Sequence, residues 1–225
     1  MTETAIGIKD LAFGYKPSKP VVTIQEFSVA KNTHTFLHGP SGAGKSTLLS
    51  LIAGILTPQS GTIEIFGETL SQMKAAQRDR FRGDHMGYIF QQFNLLPYLS
   101  VEENIFLPLT MSPAKKNRSS SPASEIDQLL DALNIGDLKH QSVGSLSIGQ
   151  QQRVAAARSF MGQPKLIIAD DPTSSLDFDN RKAFIECLFE AAKSAGATIL
   201  FVSHDHSLSS LFDASVSLSE INRQP

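Results

Sequence analysis

Gly39-Pro40-Ser41-Gly42-Ala43-Gly44-Lys45-Ser46 has the spacing G-x-x-x-x-G-K-[ST] and carries the strongest chemical signal in the chain. Glycines at 39, 42 and 44 let backbone N–H groups turn inward around phosphate oxygens, where a side chain would block the approach. Residues 35–38 read as a strand entering this loop and 45–55 as a helix leaving it, so the positive end of a helix faces whatever the loop holds. In such a loop Lys45 reaches the β- and γ-phosphates of a nucleotide, the Ser46 hydroxyl ligates Mg2+, and Thr47 continues the same helical turn. The flanking strand and helix weigh against a mere glycine-rich turn. The loop alone does not separate kinases, GTPases, helicases and transport ATPases.

Two more constellations follow. Leu166-Ile167-Ile168-Ala169-Asp170-Asp171 is an apolar strand that ends in adjacent carboxylates. Asp170 suits a magnesium ion held through water, and Asp171 suits orienting or deprotonating an attacking water. Ser147-Ile148-Gly149-Gln150 opens another helix with a hydroxyl and a bare backbone N–H, a second anion-binding end. One chain cannot easily close both ends on one phosphate. His204 and His206 form a His-x-His pair, but no other metal-binding residue types cluster beside them, so no metal site is expected there. The single cysteine, Cys187, cannot form an internal disulfide, fits a reducing cytosol and reads as a small apolar side chain on a helix.

These residues need elements to hold them. Residues 62–66, 165–169 and 198–203 read as strands, and 45–55, 150–161 and 180–195 as helices. Their alternation indicates an α/β core with a parallel sheet. In the last helix Phe184, Leu188, Ala191 and Ala195 recur at three- and four-residue spacing, with Gly196 as the stop. The run 115–124 (KKNRSSSPAS) is polar, with a proline and four serines, and is expected to be a mobile surface loop.

The chain has 225 residues, 41% hydrophobic and 19% charged, the balance of a soluble globular protein with one sizeable core or two closely fused lobes, one compact unit being the default. A formal charge of −2 offers no broad basic face, which argues against a nucleic-acid partner. The longest apolar runs fall far short of the roughly 20 residues that span a bilayer, and residues 1–8 lack the features of a secretion signal. Any membrane role is therefore expected to come through a partner, without direct insertion.

The segment Leu146-Ser147-Ile148-Gly149-Gln150-Gln151-Gln152-Arg153 resembles the LSGGQ signature of ATP-binding cassette (ABC) proteins, and other landmarks of that family stand in family order from Tyr15 to His204. Tyr15 matches the aromatic residue that stacks on adenine, although a single tyrosine also fits a core or surface position. Gln91 resembles the glutamine that contacts Mg2+ and the lytic water, with Gln92 beside it structural. Ser175-Leu176-Asp177 looks like the loop that crosses the dimer interface, and His204 matches the histidine that contacts the γ-phosphate. The resemblance implies an α/β P-loop NTPase fold: a nucleotide-binding domain over 1–225 with a RecA-like core, an antiparallel β subdomain and an α-helical subdomain at about 92–160. It implies ATP and Mg2+ as cofactors. It also implies a homodimer in which the signature of one copy faces the phosphate loop of the other across ATP.

Within the family, 91–109 and 149–159 are similar to the stand-alone ATPase subunits of the lipoprotein-release and macrolide-exporter group. That implies a subunit on the cytoplasmic face of the membrane, attached through an integral permease that moves lipid, lipoprotein or drug-like cargo. Phe93, Leu95, Leu96 and Tyr98 would line the permease groove or pack internally. A soluble ABC protein of DNA repair, translation or regulation is the alternative, disfavoured because the chain carries neither a coiled-coil insertion nor a second cassette. Two positions depart from the family pattern: Ile148 replaces the signature's third-position glycine, and Asp171 stands where the family has glutamate. Aspartate is one methylene shorter, about 1.5 Å less reach, so hydrolysis is expected to be slow, the alternative being a compensating backbone shift that restores full activity.

Overall fold

In the computed structural model the described residues are 3–16, 19–174 and 176–223, without the side chain of Phe178. The first elements in chain order are β1 (Thr4–Phe13), β2 (Val22–Ala30), β3 (His34–His38), α1 (Lys45–Ile52), β4 (Ser60–Ile65), β5 (Glu68–Thr69), α2 (Ala75–His85) and β6 (Met86–Ile89). After them come α3 (Val101–Met111), α4 (Pro113–Arg118), α5 (Pro122–Ala132), α6 (Ile148–Phe160), β7 (Leu166–Asp170), α7 (Phe178–Ala195), β8 (Thr198–Ser203), β9 (Ala214–Ser217) and α8 (Leu218–Ile221). They fall into two compact units, Met1–Arg82 with Thr198–Pro225, and Gly83–Ala197.

In the first unit, β1 pairs antiparallel with β2 and β4, and β4 pairs with β5, in the order β2-β1-β4-β5. Ile8 stands opposite Phe27 on one side and Ile63 on the other, and all three are buried. β3 lies between β8 and β9, parallel to both. Every residue of β8 is buried, which is why it reads as a continuous apolar run rather than an alternating one. Antiparallel and parallel sheets thus coexist, as the α/β P-loop reading expects.

In the second unit β6 and β7 are parallel, with Ile89 opposite Ala169. Helices follow one another from Val101 to Phe160, and α7 packs against α5 and α6. The Asp177 carboxylate caps α7 by accepting from the Asn180 N–H at 3.0 Å, and Gly196 ends the helix at φ 62°, a left-handed turn that glycine makes without cost. Phe184, Leu188 and Ala191 are buried as the periodicity requires.

The polar run 115–124 is not a loop. Ser112 accepts from the Lys115 N–H at 3.0 Å, Pro113 takes the first helical position, and α4 forms; Pro122 likewise takes the first position of α5, there without a side-chain cap. Apolar area was the wrong measure of order here, because cationic side chains supply the anchoring. Lys115, only 4% exposed, donates its Nζ to the Met86 carbonyl at 2.8 Å. Arg118 donates Nε to the Gly162 carbonyl at 3.0 Å and a second N–H to the Asp84 carbonyl. A Cβ on Gly162 would meet the Lys115 Cβ at 2.6 Å, so the glycine leaves the lysine its path.

Burial, reinforced by the Arg118 charge, lowers the Lys115 pKa to about 8 from lysine's ordinary 10.5. Between those values the unfolded chain binds the proton that the folded chain has lost, so stability rises with pH across that window. Lys115→Met removes the titration. Urea unfolding at pH 7.5 and 10.5 is expected to show the native chain gaining stability relative to the variant by as much as about 3 kcal/mol; parallel behaviour of the two would contradict the assignment.

Candidate functional site

The phosphate loop leaves the end of β3 and enters α1 at Lys45. Gly42 and Gly44 adopt φ values of 81° and 97°, and a Cβ on Gly44 would meet the Val21 carbonyl oxygen at 3.1 Å. Glycine is therefore required at 44 on two grounds. As the residue preceding the helix, Gly44 supplies no capping side chain, so the first-turn N–H groups of α1 are presented to the loop. Lys45 Nζ donates to the Gly39 carbonyl at 2.7 Å and the Pro40 carbonyl at 2.9 Å, which holds the ammonium inside the turn. Pro40, Ser41 and Ser46 are exposed, and Ala43 closes the turn by donating its N–H to Pro40 at 3.2 Å.

Tyr15 is brought to this loop. Its hydroxyl lies 3.3 Å from the buried Thr47 hydroxyl, its ring stands edge-on to Phe13 at 5.2 Å, and 66% of it is exposed. It is neither a core tyrosine nor a stray surface one: one edge is fixed and a face is open. His204 follows β8, whose last residue Ser203 is level with His38 at the end of β3, so the sheet register sets His204 and the start of the phosphate loop at one edge. The His206 ring packs edge-on against His38 at 4.3 Å. Burial, together with His206, lowers the His38 pKa.

One contributor was not foreseen. Asn222, at the end of α8, accepts from the Thr23 N–H at 2.7 Å and donates Nδ2 to the Val21 carbonyl at 3.0 Å and the Ala43 carbonyl at 3.2 Å. It thereby ties the back of the phosphate loop to β2. No motif announces it, because the contact spans 179 residues of chain.

In the second unit, the pairing of Ile89 with Ala169 puts Gln91, just beyond the end of β6, at the same end of the strand pair as Asp170, the last residue of β7, and Asp171, which follows it. The Tyr88 hydroxyl is pushed above its ordinary pKa by burial and by the Asp170 charge. Asp171 sits at φ 46°, left-handed backbone that a non-glycine residue adopts at a cost of about 1–3 kcal/mol and that clusters at functional sites. Gln91 and Gln92 are both exposed, and Phe93 is buried while Tyr98 is 77% exposed.

Ser147 caps α6 in a closed box: its Oγ accepts from the Gln150 N–H at 3.3 Å, and the Gln150 side chain accepts from the Ser147 N–H at 2.9 Å. Ser147, Gly149 and Gln150 line a cavity of about 310 Å³ together with Arg153, Leu176 and Asn180. Ile148 is 56% exposed, so it offers an apolar surface where a glycine would offer none. The Asp177 carboxylate is engaged as a cap by both Asn180 nitrogens, and these bonds lower its pKa. Ser175 lies outside the described residues.

A family model described as ABC transporter matches residues 23–174. The lipoprotein-releasing system ATP-binding protein LolD of Psychrobacter arcticus is 37% identical over 199 residues, 87% of this chain and 86% of that one. The ABC transporter ATP-binding protein YtrE of Bacillus subtilis is 34% identical over 88% of this chain and 84% of its own. The dimeric post-hydrolysis structure of the ATP-binding cassette MJ0796, bound to ADP and Pi, superposes with a TM-score of 0.82 at 27% identity, covering 94% of this chain and 93% of that one.

Asn222→Ala removes the tie to Ala43 in the loop and both ties to the chain at Val21 and Thr23. It is expected to weaken nucleotide affinity about fivefold to tenfold, equivalent to about 1–1.4 kcal/mol, with a cooperative unfolding transition retained. Titration of a fluorescent nucleotide analogue checks this, and unchanged affinity would show that Asn222 serves the terminus alone.

Proposed function

The chain belongs to the ABC transporter family, an ATPase subunit that drives a membrane transporter, and from that premise we propose which residues do the work and what the transporter moves. The observation that carries the reading is the phosphate loop, with its ammonium held by two carbonyls at the uncapped start of α1. Gly39, Pro40, Ser41, Gly42, Ala43, Gly44 and Lys45 receive the phosphates of ATP, and Thr47 and Tyr15 frame the adenosine end, where the exposed tyrosine face stacks on the base.

Ser46, Gln91 and Asp170 are hard oxygen donors, the set that suits Mg2+. When bound, the ion neutralises charge that develops on the phosphates. Asp171 orients the attacking water and accepts its proton, Gln91 positions that water, and the His204 imidazole contacts the γ-phosphate. Ser147, Gly149 and Gln150 at the start of α6 serve the nucleotide held by a second copy, across an interface to which Asp177 belongs. The Ser147 hydroxyl can accept from the Gln150 N–H and donate to a phosphate at once, so the cap need not open for that contact.

The lipoprotein-releasing relatives support a lipid-anchored cargo handled by a separate integral permease. Among the described residues no helix is long and apolar enough to cross a membrane, which suits attachment through that partner at the cytoplasmic face. Tyr98, Leu95 and Leu96 offer apolar surface for its docking helix; Phe93 is committed to packing.

Asp171 makes turnover slow and the ATP-bound dimer long-lived, because a misplacement of about 1 Å at a reacting group costs on the order of a hundredfold. Asp171→Glu is expected to raise kcat of the purified complex by tenfold or so; an unchanged rate would mean that the backbone already compensates for the shorter side chain. Lys45→Ala is expected to abolish tight ATP binding, and normal affinity in that variant would sink the phosphate assignment.

A further inference from the structure

Gln91 sits in a tight turn: the Phe93 N–H donates to the Phe90 carbonyl at 2.9 Å, which puts Gln91 and Gln92 at its two central positions. The turn then passes through two consecutive left-handed residues, Phe93 at φ 59° and Asn94 at φ 49°. A bulky aromatic residue in that conformation is costly and persists only where its surroundings impose it. Phe93 is buried, and the carbonyls of both left-handed residues receive hydrogen bonds from one side chain. Arg158 donates one N–H to the Asn94 carbonyl at 2.6 Å and another to the Phe93 carbonyl.

Arg158 is half-buried on the last turn of α6. Burial lowers its pKa, yet a guanidinium stays charged in a protein and must find acceptors. Its planar fork suits two adjacent carbonyls in a way that a lysine's single ammonium does not. At the other end of the same helix, 11 residues and roughly 16 Å away at 1.5 Å per residue, stands the capping residue Ser147. A second clamp follows the first: the fully buried Asn104 accepts from the Leu96 N–H and donates to the carbonyls of Leu96, Leu99 and Ser100. The chain after Gln91 is thus held twice, and only the Arg158 clamp comes from α6.

We propose that Arg158 is the positioning residue of the Gln91 turn, a fork that fixes the turn to α6 so that Gln91 moves with the helix that carries Ser147. This rests on the role given above to Gln91 in hydrolysis. Arg158 touches neither nucleotide nor water in this role. It selects, among the conformations open to the turn, the one in which Phe93 and Asn94 are left-handed.

Arg158→Met, Arg158→Lys and Gln91→Ala in the full-length chain test this, with kcat, KM for ATP, nucleotide affinity and amide hydrogen exchange as readouts. Arg158→Met is expected to lower kcat about tenfold while affinity and KM stay within about twofold, the split expected when positioning rather than binding is lost. Exchange at the Phe93 and Asn94 amides should accelerate while that at Leu96, held by Asn104, does not. Arg158→Lys, which keeps the charge but not the fork, should give an intermediate kcat and exchange rate; if Arg158→Met fails to fold, this variant decides, and native values in it overturn the proposal. Native kcat in the Arg158 variants beside an inactive Gln91→Ala also overturns it. Native kcat in Gln91→Ala instead removes the role given to Gln91, and the catalytic half of the inference falls with it.

Discussion

The charge on Lys45 organises the first unit. An ammonium needs acceptors on several sides, and here the chain provides two of its own carbonyls, at Gly39 and Pro40. To reach them the backbone must double back over six residues, and that reversal needs the left-handed geometry that Gly42 and Gly44 supply. The same reversal leaves the first N–H groups of α1 and the ammonium convergent on one small volume. The strands around it answer to this need: β3 is flanked on both sides by parallel neighbours, so its end is fixed laterally and the loop starts from a rigid point.

Two helices begin at the ends to which the proposed function assigns phosphates, and they are built differently. α1 has a glycine where a capping side chain would sit, and its dipole end is left for a ligand. α6 closes its own end with Ser147 and Gln150 in a reciprocal box. The contrast fits the tasks proposed for them. A loop that wraps its own ligand needs every donor free, whereas an end that meets a ligand carried by another copy must hold its shape between encounters. A capping box is worth about 1 kcal/mol in helix stability.

What could be read from the residue order follows the same division. The phosphate loop, the paired acids and the signature are legible because their chemistry constrains consecutive residues: glycines for backbone approach, adjacent carboxylates, a hydroxyl before a helix. The strand that ends at Ser203 and the stop at Gly196 are legible because burial and left-handed backbone each leave a local mark. Asn222, Asn104 and Arg158 leave none. Each is a polar side chain that serves backbone carbonyls, and any segment has carbonyls, so nothing in the target's sequence announces the partner. The same blindness turned α4 into an expected loop: Lys115 and Arg118 look like solvated charges until the Met86, Asp84 and Gly162 carbonyls are placed beside them.

That recurring use of buried cationic and amide donors on carbonyls has a physical reason. Segments that must present exposed polar side chains in irregular geometry, such as the turn at Gln91, cannot pair their backbone in a sheet, because a sheet would fix the residues in extended geometry and set the side chains in alternation. Apolar packing alone would hold such a segment without setting its dihedral angles, since it has no direction. A guanidinium or carboxamide bonded to two or more carbonyls fixes direction as well as place, and its loss costs about 1–3 kcal/mol at each acceptor that stays buried without a partner. Asn104 shares its two N–H donors among three carbonyls and accepts one bond around residues 96–100, and Arg158 makes two donations at Phe93 and Asn94. The second unit therefore defines its irregular segments by hydrogen bonds as directional as those of a sheet while keeping Gln91 exposed, as its proposed role requires.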